Sequence, residues 1–163
     1  MDSLDGIKIH GFSRVQITEP QKDGREKIIG DSGFVGPNAI SNLGFLDYLV
    51  HTLGASAGSK QVGWVALGTG TTIAAAATAL PGEIMSSTQR GSVTYANVAS
   101  TTAQFTATFA SSDSFLSAAA NLSNIGLFAN STTNETIFAG NTYASSSCNT
   151  NQNVNVTYQI RFS

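Results

Sequence analysis

The chain has 163 residues, a net charge of -2 and only 11% charged residues against 41% hydrophobic ones, well below the roughly 25% charge of an ordinary soluble domain. This length suits one domain with a real core, and the charge balance offers no basic field to nucleic acid or an anionic membrane. No run approaches the roughly 18 apolar residues of a membrane helix, the start "MDSLDGIKIH" has no apolar h-region of a secretory signal, and one cysteine, Cys148, excludes an internal disulfide.

Eleven of the eighteen charged residues lie between Asp2 and Asp31, and only Asp113, Glu135 and Arg161 lie beyond Arg90. This asymmetry divides the chain into a charged N-terminal arm or hairpin, residues 1–35, and a domain over 36–163. In the arm, Ile7, Ile9, Val15 and Ile17 alternate with polar residues, which is strand periodicity. "EPQKDG" reads as a turn, because Pro20 presets φ and Asp23-Gly24 tolerates left-handed backbone. "REKIIG" returns as a second strand, giving a hairpin. Next, "NAISNLGFLDYLVHTLG" repeats Ile40, Leu43, Leu46, Leu49, Val50 and Leu53 at helical spacing, which predicts one α-helix near residues 40–53. Asn38 or Ser41 is its cap and Gly54 its closing glycine.

"QVGWVAL" predicts a strand, and "IAAAATALPGEI" one helical turn before Pro81. From Arg90 onward the pattern is β. "TAQFTATF" puts Ala103, Phe105, Ala107 and Phe109 on one face. "NVNVTYQIRF" does the same with Val154, Val156, Tyr158, Ile160 and Phe162. Between them come "NIGLFA" and "ETIFAGNTYA", joined by the turn-rich "NSTTN". The total is seven or eight strands, each with an apolar face that needs a second sheet. The predicted fold is mainly β, a jelly-roll-like β-sandwich with one helix.

The chemistry is sparse. "WVALGTGTT", Trp64 to Thr72, has the look of a phosphate-cradling loop, but no lysine follows it and its glycines open no helix longer than the single turn before Pro81, so it reads as a strand leaving the sheet through a glycine turn. His10 and His51 stand apart with no cluster of metal ligands around them. Asp47, Glu83, Asp113 and Glu135 are too scattered to make an acid/base pair, and the many serines lack a base and an orienting acid. Four sequons, at Asn121, Asn130, Asn134 and Asn155, are what this Ser/Thr/Asn-rich composition produces by chance. The expectation is no enzyme, no metal and no cofactor.

One ordered series remains. Asn38, Ile40, Ser41 and Gly44 come first. Ala66 to Thr72 follows, with Thr78, Ala79, Leu80 and Glu83, then Arg90. Ile125 to Phe128 is next, then Phe138 to Gly140 and a closing "VNVTYQIRF" strand. This series resembles a loose family of tailed-bacteriophage virion proteins. It departs from the family pattern at Asn124, where an acid is usual, and at Gly140, where Arg is common. The resemblance implies a capsid cement or decoration subunit, made in the host cytoplasm and carried in the virion. Its partners would be the major capsid protein and copies of itself, as a homotrimer. As an alternative it admits a tail or tail-fibre protein that binds a host surface glycan or a tail partner through "ASSDSFLSAAA" and "YASSSCNTNQN". On the cement reading, the cations of the charged hairpin, Lys8, Arg14, Lys22, Arg25 and Lys27, are the candidate shell contact, because charge steers and registers an encounter. The arm is also expected to be separable, so that deleting Met1 to Asp31 leaves a folded domain.

Overall fold

A computed structural model of the chain describes residues 8–42, 44, 45, 48, 60–84, 90–132 and 136–163. Its strands are β1 (Ile9–Pro20), β2 (Glu26–Asp31), β3 (Val35–Ile40), β4 (Trp64–Gly68), β5 (Gly91–Ser92), β6 (Thr94–Ala99), β7 (Thr102–Phe109), β8 (Ala120–Phe128), β9 (Ala139–Cys148) and β10 (Asn153–Phe162). They hydrogen-bond in the order β5-β4-β8-β9-β3-β1-β10-β7-β6, with β2 beside β3 on β1, and every pairing is antiparallel. The ribbon folds into two sheets packed face to face, a β-sandwich. β3 hydrogen-bonds into both sheets. β5 and β6, the two ends of the order, are separated in the chain by Val93 alone. Both sides of the sandwich are therefore bridged by chain.

The core is what the alternation dictates. Val15 and Ile17 of β1, Phe105 and Phe109 of β7, and Val154, Val156, Tyr158 and Ile160 of β10 point inward from the first sheet. They meet Val65, Leu67, Leu122, Ile125, Leu127 and Tyr143 of the second. The second sheet is buried on its other face too. Ala66 and Phe128 there pack with Ile73, Leu80 and Ile137 beneath the segment 71–84. A strand covered on both sides has no polar alternation, which is why "NIGLF" is an apolar run.

The structure corrects the division at residue 35. β1 lies inside the sheet, paired with β10 from Ile9–Phe162 to Thr18–Asn153 on one side and with β2 and β3 on the other. Deleting Met1 to Asp31 would remove an interior strand and leave the edges of β10 and β3 open, so no separable arm exists. Among the described residues of the arm, the hairpin end projects, with residues 20–29 all exposed. The segment around Pro37 and Asn38, read as the lead into the helix, is strand β3. Ala39 and Ile40 pair with Gly140 and Ala139 of β9. The helix begins at Ser41: the Gly44 N–H donates to Ser41 Oγ at 3.2 Å and the Phe45 N–H to Ser41 O at 2.7 Å. Ser41, not Asn38, is the N-cap. Asn42, Gly44, Phe45 and Tyr48 are helical; Leu43, Leu46, Leu49, Val50, Leu53 and Gly54 lie outside the described residues. The expected helical turn before Pro81 is a lone turn closed by Ala77 N–H to Ala74 O at 2.9 Å.

Candidate functional site

The phosphate-loop question is settled by where the backbone N–H groups go. The Thr69 N–H donates to Gly82 O at 3.0 Å and the Gly70 N–H to Pro81 O at 3.2 Å, while the Ile84 N–H donates to Leu67 O at 2.8 Å. Residues 67–70 and 81–84 thus clasp each other, and the amides of Thr69 and Gly70 are spent on carbonyls. The glycines permit the approach: a Cβ on Gly70 would stand 2.3 Å from Pro81 O, and one on Gly68 2.3 Å from Asn124 Oδ1. "GTG" is a joint between two backbones.

Most other blocks of the ordered series converge on the same place; the closing strand β10 and Asn38, which bonds to Tyr158, belong to the first sheet instead. Arg90 is 3% exposed. It donates from Nε to Glu83 Oε1 at 2.7 Å, from Nη2 to Glu83 Oε2 at 3.1 Å and from Nη1 to Asn130 O at 3.3 Å. Its guanidinium carbon lies 3.3 Å from the Phe128 ring centroid. Ser41 Oγ donates to Ala77 O at 2.9 Å, and a Cβ on Gly44 would stand 2.1 Å from Ile137 O. The Ile137 N–H in turn donates to Thr78 O at 3.1 Å. Asn124 and Gly140 are each fixed by their surroundings. Asn124 donates to Pro81 O at 2.8 Å, which a carboxylate cannot do. A Cβ at Gly140 would already lie 2.6 Å from Ile73 Cδ1, so an arginine has no room. These residues hold the outer cover of the second sheet in place.

The sequence-predicted cations do not form one cluster. Arg14, on the outer face of the first sheet, is engaged by Asp31: its Nε donates to Asp31 Oδ1 at 2.9 Å, and Gln16 Nε2 donates to Asp31 Oδ2 at 3.1 Å. The Arg14 hydrogen bond holds the Asp31 carboxyl well below the usual carboxylate range. Arg25 pairs with Asp23 in the turn at 2.7 Å. Lys22 and Lys27 are exposed along the projecting hairpin, while Lys8 is exposed at the far end of β1, where its backbone pairs with Ser163. Only Lys22, Arg25 and Lys27 share one projection. His10 is the second residue of β1, and His51 lies outside the described residues. Cys148 is buried, which pushes its thiol up to about 11. Among the described residues, no three His, Cys, Asp or Glu side chains gather.

Sequence reading missed the outer face of the first sheet. Glu26 accepts from Thr18 Oγ1 at 2.7 Å, from Asn153 Nδ2 at 2.7 Å and from Asn155 Nδ2 at 3.2 Å. These bonds, that of Thr18 foremost, lower its pKa. Beside this network Ser92, Thr94, Thr106, Thr108, Asn155 and Thr157 line a shallow groove of about 380 Å³. A mainly apolar cavity of about 880 Å³ opens at the end of the sandwich where β1 begins, between Ile9, Phe45, Phe105, Phe138 and Phe162, with Lys60 and Gln61 at its polar side. The period-2 pattern predicted which residues face outward, but not that β2, β1, β10 and β7 would align them into one surface.

Of the two loops assigned to recognition, "ASSDSFLSAAA" turns through Ser111–Asp113 and buries Phe115 and Leu116. "YASSSCNTNQN" is largely strand β9, with a tight turn closed by the Gln152 N–H on Asn149 O at 3.1 Å. No protein-family model, curated protein or solved structure matches the chain.

Proposed function

We propose that this chain is a structural subunit of a bacteriophage virion, a cement or decoration protein that binds the shell of major capsid protein as a homotrimer. The observation that carries the reading is the division of its surface. Lys22, Asp23, Arg25, Glu26 and Lys27 crowd onto one projecting hairpin. After Asp31, the buried Glu83–Arg90 pair is an internal fastener, and the groove on the outer face of the first sheet is lined by hydroxyls and amides. A neutral face suits protein neighbours, and a charged projection suits registration on a partner. Repetition of one patch by cyclic symmetry adds weak contacts through effective concentration. The clustering of most of the ordered series, Ser41 to Gly140, at a structural joint also supports a scaffold role over a reactive site.

The test is decoration of shells stripped of their cement protein. Purified chain is expected to bind them, and Lys22→Glu with Arg25→Glu and Lys27→Glu to abolish occupancy without changing the circular dichroism spectrum. Failure of the wild-type chain to bind any shell of its own phage overturns the reading. The second reading, a tail or fibre protein that holds a host glycan, draws on the hydroxyl- and amide-lined groove over Thr94, Thr106 and Asn155, whose chemistry fits a neutral sugar. Binding of the purified chain to whole host cells, lost in Thr106→Val, separates it from the first.

A further inference from the structure

Sheet edges are where an assembling β protein exposes unpaired backbone groups, and natural proteins guard them with charge, proline, bulges or short length. In the first sheet the two outermost strands are β2 and β6. Among the described residues each pairs on one side only, β2 with β1 and β6 with β7. Both are six residues long. Residues 94–99 are all exposed and, like the whole stretch from Gly91 to Phe109, carry no charged side chain. Of the six large hydrophobic side chains exposed among the described residues, four stand on these two strands: Ile28 (55%) and Ile29 (43%) on β2, Tyr95 (60%) and Val98 (49%) on β6.

We propose that copies of this chain join edge to edge, β6 of one copy pairing with β2 of the next, so that the first sheet runs on across the contact. A second copy is the partner the chemistry selects. Pairing β2 with β2 across a two-fold brings the acids Glu26 and Asp31 of both copies together, and like charges opposed on neighbouring strands are destabilising. Pairing β6 with β6 leaves Ile28 and Ile29 in water. Pairing β6 with β2 covers all four hydrophobic side chains with one kind of contact. It sets an uncharged strand against a strand whose acids are already satisfied, Glu26 by Thr18, Asn153 and Asn155, and Asp31 by Arg14. Strand direction follows as well. The order β2-β1-β10-β7-β6 alternates in direction at each step, so β2 and β6 run the same way. A rotation about an axis along the strands therefore makes the new pairing parallel. Such a head-to-tail contact closes into a ring when the rotation allows it. The inference rests on reading the chain as an assembling subunit, and it is tested on the purified protein without any shell.

The experiment is analytical ultracentrifugation of the full chain at micromolar concentration, with Ile28→Lys and Val98→Lys. The wild type is expected to sediment as an oligomer and each variant as a monomer with an unchanged circular dichroism spectrum. To fix the mode of contact, Ile28→Cys and Val98→Cys chains are treated with a short bis-maleimide, separately and mixed, Cys148 being buried. Cross-linked dimer in the mixture alone supports β6-to-β2 pairing. Cross-linking of either variant with itself, a monomeric wild type, or oligomers that survive both lysines overturns it. Shell decoration by a wild type that is monomeric in solution would sink this inference and leave the shell-binding part of the cement reading standing. Edge-paired rings that ignore shells would do the reverse.

Discussion

Replacing Glu83 with Gln is the sharpest perturbation of the joint. The Arg90 side chain is 0% exposed and that of Glu83 12%, and the guanidinium is held by both carboxylate oxygens and lies on the Phe128 ring. The glutamine keeps the shape and removes the charge, leaving a buried cation unpaired. Removing one member of a buried pair costs about 3–5 kcal/mol, whereas exposed pairs are worth about 0–1 kcal/mol. The slight exposure of Glu83 places the expected loss near the lower value, about 3 kcal/mol. At about 2–4 °C per kcal/mol for a chain of this size, the midpoint of thermal unfolding falls by about 6–12 °C. Urea unfolding followed by circular dichroism gives the free energy directly. The double variant Glu83→Leu with Arg90→Met should regain most of the loss, because it removes both charges and keeps apolar volume. A Glu83→Gln protein within about 1 kcal/mol of wild type would refute the argument, since that is the value of an exposed pair.

Other outcomes follow from the same geometry. Gly70→Ala is expected to cost about 1–3 kcal/mol by overpacking against Pro81, while Gly63→Ala, whose Cβ would meet nothing closer than 3.6 Å, serves as the near-neutral control in the same urea titration. Asp23, Glu26 and Asp31 all have lowered pKa values in the fold, from hydrogen bonds to Arg25, Thr18 and Arg14 respectively. Their contribution is complete above the unfolded values of about 3.9–4.3 and is lost as pH falls through the folded ones. Melting temperature should thus decline in acid, with a shallower decline in Glu26→Gln; an identical slope would contradict the Glu26 network. Cys148 has the opposite sign: its raised pKa means stability drops as pH climbs past the unfolded value of about 8.5. Native protein should not react with a thiol reagent until it is unfolded.

Strands with one solvent face were readable from the sequence because alternation is enforced at every position. Phe105 and Phe109 on β7, and Val154 to Ile160 on β10, are buried as the pattern requires. Phe162 continues that pattern yet is 41% exposed, since it stands at the strand's last residue. Pro37 misdirected the reading of β3, because a proline followed by a helical repeat looks like a helix start; the pairing of Ala39 and Ile40 with β9 is a long-range fact. The same holds for β1. Its charge count marks it as different, but its neighbours β10 and β3 are decided by topology. Glu83 and Arg90 were visible as single letters, and their pairing needed the clasp between residues 67–70 and 81–84. The five cations lie near one another in sequence, yet Arg14 is paired with Asp31 and Lys8 lies at the opposite end of β1 from the hairpin.

The measurement that bears most directly on the cement reading is the number of copies per virion, obtained by quantitative mass spectrometry against the major capsid protein. A copy number that scales with the repeating lattice of the shell is the predicted result. A handful of copies per particle, matching the tail, would contradict it.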